Sequence, residues 1–293
     1  WEARACRAWY HLDLYLYYGP PPIVTSAVEP EDADLTRSTE DEFINWVTAE
    51  FDTCAQNLPL QYPGDEPYRI TKGACLTMKT IALLNAHKYQ QAAAAAQEVM
   101  NLNFYELFKN PADQANNYRH LFFHVGEFNK ERILSFQAVN ATNNGRLSPP
   151  PYGSSNVNPT SSIVNEYETL QGKTLAELGP DSLEIYKRNP NYMNNRDPRF
   201  DASVVYPGQN FLGIAINPFN MAATNTHRLN AVNSSRTGYW VAKYADPADK
   251  GKNSSLDFMI YRYADVLLMY VEALVESGQW NHADVVKYLN QIR

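Results

Sequence analysis

The stretch Asp257-Phe-Met-Ile-Tyr-Arg262-Tyr263-Ala264-Asp265-Val-Leu-Leu-Met-Tyr-Val-Glu272-Ala273-Leu-Val-Glu276-Ser-Gly278, continuing through Gln279-Trp280-Asn281-His282-Ala283 to Leu289-Asn290-Gln291-Ile292-Arg293, decides the fold. Apolar residues recur at Ile260, Ala264, Leu267/Leu268, Val271 and Leu274/Val275, the spacing of one helix face, while Arg262, Asp265, Glu272 and Glu276 take the other. Gly278 stands where a helix C-terminus favours positive φ, and Asn281 is placed to cap a second helix. The segment therefore predicts a helical hairpin from about 257 to 293, with apolar faces that only neighbouring helices can cover.

The same plan recurs upstream. Aligning Tyr89-Gln90-Gln91-Ala92 with Trp280-Asn281-His282-Ala283 sets Ala82-Leu83 opposite Ala273-Leu274, so residues 71–101 read as a second alanine-rich hairpin. An aromatic opening the second helix and small residues at the crossing are marks of a tetratricopeptide-like unit. Residues 1–18 form an amphipathic helix stopped by Gly19 and Pro20-Pro21-Pro22. Ser38-Thr39-Glu40-Asp41-Glu42 is a capping-box start to a helix with Phe43, Val47, Phe51, Cys54 and Leu58 on one face. The expected fold is mainly α, a scaffold of tetratricopeptide-like hairpins over 1–19, 40–58, 71–101 and 257–293. It carries a long loop-rich insertion, 102–256, with short β-strands at 132–139, 203–206, 211–216 and 239–244. The whole of 1–293 is expected to be a single domain. So long an irregular stretch within a folded chain is where functional loops are expected.

The chain has 293 residues, 44% apolar and 19% charged, which suits a globular protein. Its net charge of −7 disfavours nonspecific binding to nucleic acid or anionic lipid. Twenty Tyr, twelve Phe and five Trp give 13% aromatics, on the high side; most are expected in the core, with a minority on stacking surfaces. Cys6, Cys54 and Cys75 form no Cys-x-x-Cys pair and read as buried free thiols inside helices. The sequence opens in mid-helix at Trp1-Glu2-Ala3-Arg4-Ala5 without a methionine, as expected of a segment from a longer protein.

Several motifs carry a resemblance. Glu2-Ala3-Arg4 through Arg7-Ala8-Trp9-Tyr10 to Tyr17-Tyr18-Gly19, then Thr71-Lys72-Gly73-Ala74, Glu131-Arg132-Ile133, Asn158-Pro159-Thr160, Asn195-Arg196-Asp197-Pro198-Arg199-Phe200, Tyr206-Pro207-Gly208 and Thr237-Gly238-Tyr239 appear in order. With Arg262-Tyr263-Ala264-Asp265-Val-Leu-Leu-Met and Leu289-Asn290-Gln291-Ile292-Arg293, this series resembles the SusD/RagB family of outer-membrane lipoproteins. The resemblance implies noncatalytic capture of oligosaccharide or polysaccharide at the outward face of the outer membrane. It also implies handover to a SusC-like TonB-dependent transporter and a lipid anchor outside this chain. Peptide uptake by the same kind of protein and a tetratricopeptide-type adaptor are the alternative functions.

No enzyme signature stands out: there is no Gly-x-Ser-x-Gly elbow, Walker loop or Gly-x-Gly-x-x-Gly, and no cofactor is implied. His120 and His124 share the i, i+4 spacing of a helical metal pair but lack the glutamate of a zincin motif, and no metal is expected. The charged run Asn195 to Arg199 is read as a structural turn, set by Asp197 before Pro198, whose alternating charges tie it to the helices. The loop Pro207–Arg236 is the candidate ligand surface, because a sugar needs an aromatic platform bordered by planar hydrogen-bonding groups. The candidate residues are Phe211, Asn217, Phe219, Asn220, His227 and Arg228, with Tyr152 and Tyr192 as added platforms.

Overall fold

The computed structural model describes residues 1–64, 68–138, 155, 157–188, 193–232, 234–250 and 254–293. In chain order its helices are α1 (Glu2–Tyr18), α2 (Glu40–Asn57), α3 (Lys72–Asn85), α4 (Tyr89–Met100), α5 (Asn117–His120), α6 (Ser161–Glu166), α7 (Pro180–Arg188), α8 (Pro198–Ser203), α9 (Tyr263–Glu276) and α10 (Ala283–Ile292). The strands are β1 (Arg132–Phe136), β2 (Val204–Val205), β3 (Asn210–Phe211), β4 (Ile214–Ala215), β5 (Trp240–Val241) and β6 (Phe258–Arg262), paired two by two and antiparallel as β1–β6, β2–β5 and β3–β4. Two compact units result: a helical unit of 1–107, 128–136 and 258–293, and a loop-rich unit of 108–127 and 137–257.

In the helical unit each helix packs on the next, α1 on α2, α2 on α3, α3 on α4, α4 on α9 and α9 on α10. One continuous core joins Leu12, Phe43, Phe51, Met78, Val99 and Tyr270. Alanines make the close approaches: Ala92, Ala95 and Ala96 of α4 and Ala273 of α9 are essentially without solvent contact. The expected caps are in place, Thr39 and Glu42 in a reciprocal box at α2 and Gly278 at φ 83° after α9. At α10 the cap is His282, whose ring accepts from the Asp284 N–H, rather than Asn281. Cys54 and Cys75 are buried and Cys6 partly so; burial pushes the Cys75 thiol up to about 12, so it stays protonated.

One boundary differs from the sequence reading. Residues 258–262, expected as the first turn of the terminal helix, form β6 against β1, with Arg132 opposite Arg262 and Phe136 opposite Phe258. The helix begins only at Tyr263, because the Asp265 carboxylate accepts from the Arg262 backbone N–H at 3.2 Å and the Tyr263 N–H donates to the Glu131 carbonyl at 2.7 Å. The buried Glu131 carboxylate accepts from Arg262 Nη1 at 2.8 Å, an ion pair that holds the strand in register.

Gly73 explains the Thr-Lys-Gly-Ala start of α3. Thr71 caps the helix, and a Cβ on Gly73 would stand 2.0 Å from the Tyr105 hydroxyl oxygen and 2.6 Å from its ring carbons. Gly73→Ala is expected to cost about 1–3 kcal/mol, since a buried ring must move to admit one methyl. Chemical denaturation checks this, and a paired Tyr105→Leu change should recover part of the loss.

In the loop-rich unit the anticipated strands are shorter than expected, and the run Phe211–Ile216 is a hairpin rather than one strand, turning at Leu212 (φ 50°) and Gly213 (φ 86°). Asp197 caps α8 through the Arg199 N–H and pairs with the Arg199 guanidinium at 2.6 Å, while Arg196 donates to the Val164 carbonyl at 2.7 Å. The charged run is thus a structural clasp. α5 ends at His120, so His120 and His124 do not share a helix face. His120 Nδ1 meets the Asn110 amide at 2.8 Å, and among the described residues no group of three or more His, Cys, Asp or Glu could hold a metal ion.

His124 instead bridges two carboxylates, with Nδ1 at 3.1 Å from Glu127 and Nε2 at 3.0 Å from Asp249, while its N–H donates to Asp246. Burial pulls its pKa down, but the hydrogen bonds and charges of Asp249 and Glu127 prevail and raise it above the ordinary 6.5. A raised folded value means that the stabilisation is complete below about 6.5 and fades as pH climbs through the elevated value. Thermal melts across that window should fall with rising pH, and His124→Gln should flatten the fall.

Candidate functional site

The loop-rich unit contains a cleft of about 380 Å³ whose walls include Asn116, Arg119, His120, Asp201, Gln209 and Asn210. The β3–β4 hairpin builds one wall. Phe211, 1% exposed, joins Val205, Ile216, Trp240 and Ala242 in a small core, and this anchors the hairpin so that Gln209 and Asn210 are held at the cleft. Alternation along the strand explains the split between inward Phe211 and its polar neighbours. The opposite wall comes from α5 and its approach, where the Asn110 N–H donates to Asn117 Oδ1 at 2.7 Å and fixes the turn that presents Arg119 and His120.

Arg119 and Asp201 tie the walls together. Arg119 Nη2 donates to Asp201 Oδ2 at 2.6 Å and to the Asp201 carbonyl at 2.8 Å. The other carboxylate oxygen accepts from Gln209 Nε2 at 2.7 Å and from the Tyr206 hydroxyl at 3.1 Å. Three donors thus engage the Asp201 carboxylate. The Asn110 amide nitrogen lies 2.8 Å from His120 Nδ1 and holds that ring in place. The lining thus includes guanidinium, amide and imidazole groups. That set suits a ligand rich in hydroxyls.

The candidate residues of the adjoining loop divide sharply. Phe219 is 69% exposed, and Asn217 and Asn220 beside it also face solvent. Their amides largely shape the loop itself. Asn217 Oδ1 accepts from the N–H groups of Phe219 and Asn220 at 3.2 Å, and Asn220 Oδ1 accepts from Ala222. Asn225 Nδ2 donates to the carbonyls of Asn217 and Asn220 at 2.7 and 2.6 Å. Arg228 is likewise turned inward, donating to the Ala222 carbonyl at 3.1 Å.

Phe211 and His227 depart from the expectation of ligand-facing groups. The Phe211 ring is enclosed, and His227, 7% exposed, lies edge-on to Trp240 with centroids 6.1 Å apart. A ring enclosed on both faces cannot serve as a sugar platform, so Phe211 acts by packing. Tyr152 and Tyr192 lie outside the described residues. Arg119, Asp201 and Gln209 escaped the sequence reading because their meeting is tertiary: 82 positions separate Arg119 from Asp201. The signals available were the polar pair Gln209-Asn210 at the head of an apolar run and the Asn-Tyr-Arg-His cluster of 117–120.

A sequence profile of the SusD family matches residues 108–293, more than half of the chain. SusD-like protein P38 of Formosa agariphila is 24% identical over 322 residues, covering 100% of this chain and 56% of its own length. A crystal structure of a SusD-like carbohydrate binding protein from Bacteroides fragilis superposes with TM-score 0.81 at 27% identity, over 95% of this chain and 55% of that one. Surface glycan-binding protein A from Bacteroides uniformis shares the fold, with TM-score 0.63 at 20% identity over 100% of this chain and 57% of that one. The chain therefore spans little more than half the length of these relatives. In motifs, hairpin scaffold and profile alike, the chain belongs to the SusD family.

Proposed function

We propose that this chain is the noncatalytic, ligand-capturing part of a cell-surface lipoprotein that binds oligosaccharides and passes them to a SusC-like TonB-dependent transporter in the outer membrane. The observation that carries the reading is membership of the SusD family, joined to the likeness to a carbohydrate binding protein from Bacteroides fragilis. The cleft supports it: guanidinium, amide and imidazole groups line it, and three donors engage its Asp201 carboxylate. Phe219, exposed on the Pro207–Arg236 loop, is the proposed stacking platform. Among the described residues no helix is long and apolar enough to cross a membrane.

Affinity electrophoresis of the full chain against a panel of soluble polysaccharides tests the reading. Retention by at least one is expected, with Phe219→Ala losing about 1 kcal/mol of stacking, roughly fivefold in affinity. Gln209→Ala should weaken retention similarly, because it strips one amide from the cleft and frees an Asp201 lone pair. Product analysis after long incubation should find the glycan uncleaved. Retention competed away by oligopeptides would turn the assignment to peptide uptake, and absence of any retention would defeat it.

A further inference from the structure

We infer that the helical unit carries a second sugar-stacking site, a cleft beside the loop Leu60–Gly64 in which Phe128 is the platform and Tyr62 a second aromatic wall. The inference rests on the glycan-capture reading above and adds a site remote in sequence from the Pro207–Arg236 loop.

Three observations converge on this cleft. The first is Phe128 itself, 62% exposed although large and apolar, and held at φ 58°. A bulky side chain in the left-handed region is rare and costs on the order of 1 kcal/mol or more, so a glycine or asparagine would serve the backbone better. A position that bears both backbone strain and an exposed ring is explained by what the ring does outside the chain.

The second is the way the ring is held. The Arg132 guanidinium carbon lies 4.9 Å from the Phe128 centroid, covering one face and leaving the rest of the ring to solvent. Tyr62 is held in the same manner, with the Arg69 guanidinium 3.9 Å from its centroid and its hydroxyl donating to the Ile70 carbonyl at 3.0 Å. Two rings backed by cations are pre-organised, so little side-chain entropy remains to be lost when a flat ligand stacks on them.

The third is the cavity that they border. It measures about 350 Å³ and is lined by Tyr62, Phe128, Tyr105, Gln61 and Asn129 among others. That volume lies within the range of small-molecule sites, roughly 300–1,000 Å³. Aromatic faces with amides at their edges match a pyranose ring, whose C–H faces are apolar and whose rim carries hydroxyls. Lys130 and Arg132 also line the cavity, Lys130 in an exposed and weak pair 3.5 Å from Glu106. A sugar is therefore the class of ligand assigned.

The decisive variant is Phe128→Gly, which removes the ring while relieving the backbone, so folding should be kept or improved. The full chain, this variant and Phe128→Tyr are run by affinity electrophoresis in gels containing laminarin, starch, xylan or galactan. On whichever polysaccharide retards the wild type, Phe128→Gly should bind about fivefold more weakly, and Phe128→Tyr should bind like the wild type. Hydrogen exchange with that polysaccharide should protect residues 60–64 and 128–133. Unchanged retention of Phe128→Gly, or protection confined to 207–230, would remove this site while leaving glycan capture intact. Failure of all four polysaccharides to retard the wild type would overturn the capture reading and this inference together.

Discussion

The helical unit depends on one contact between distant parts of the chain, the alanine seam where α4 lies against α9. Ala92, Ala95 and Ala96 present almost no side chain, so the partner helix can approach closely and bury Tyr270 and Val271 beside them. A single polar bond marks the register, Gln97 Nε2 donating to the Tyr270 hydroxyl at 2.7 Å across 173 positions of sequence. Larger residues at these alanines would separate the helices and forfeit packing on both sides, since cores are close-packed rather than fluid. Closing so long a loop costs only slowly growing entropy, which is why an insertion of this size can be carried without undoing the scaffold.

A second constraint sits where the insertion returns. The buried Glu131 carboxylate pairs with Arg262, and Arg262 also reaches Asp265 at 3.3 Å in the first turn of α9. Such a pair contributes more to uniqueness than to net stability, because desolvation offsets much of its attraction. What it specifies is register. Strand β6 must end, and the helix must begin, at the residue that can satisfy both carboxylates.

Much of the scaffold was legible because its signals are local. Gly19 and the prolines after it end α1, Thr39 with Glu42 opens α2, and the apolar spacing of residues 264–275 marks α9. The exchange of helix for strand at 258–262 was not legible, since Ile260 fits either period and only pairing with residues 132–136 decides between them. The same limit governs the site. Exposed Phe219 could be anticipated from its polar surroundings, but Phe211 resembles it in sequence and differs only by falling on the inward side of a two-residue strand. Arg119 carries no sign of Asp201 in its own neighbourhood, and Phe128 betrays its strain only through a dihedral angle.

The asparagines of residues 217–225 have a consequence for how such proteins diversify. Their side chains bond chiefly to the backbone of their own segment, so the loop holds its shape with few anchors elsewhere, in the manner of a compact Ω-loop. A self-supporting surface segment can be exchanged wholesale without repacking what lies beneath it. Such a segment behaves as a cassette, open to change in sequence without change in the fold that carries it.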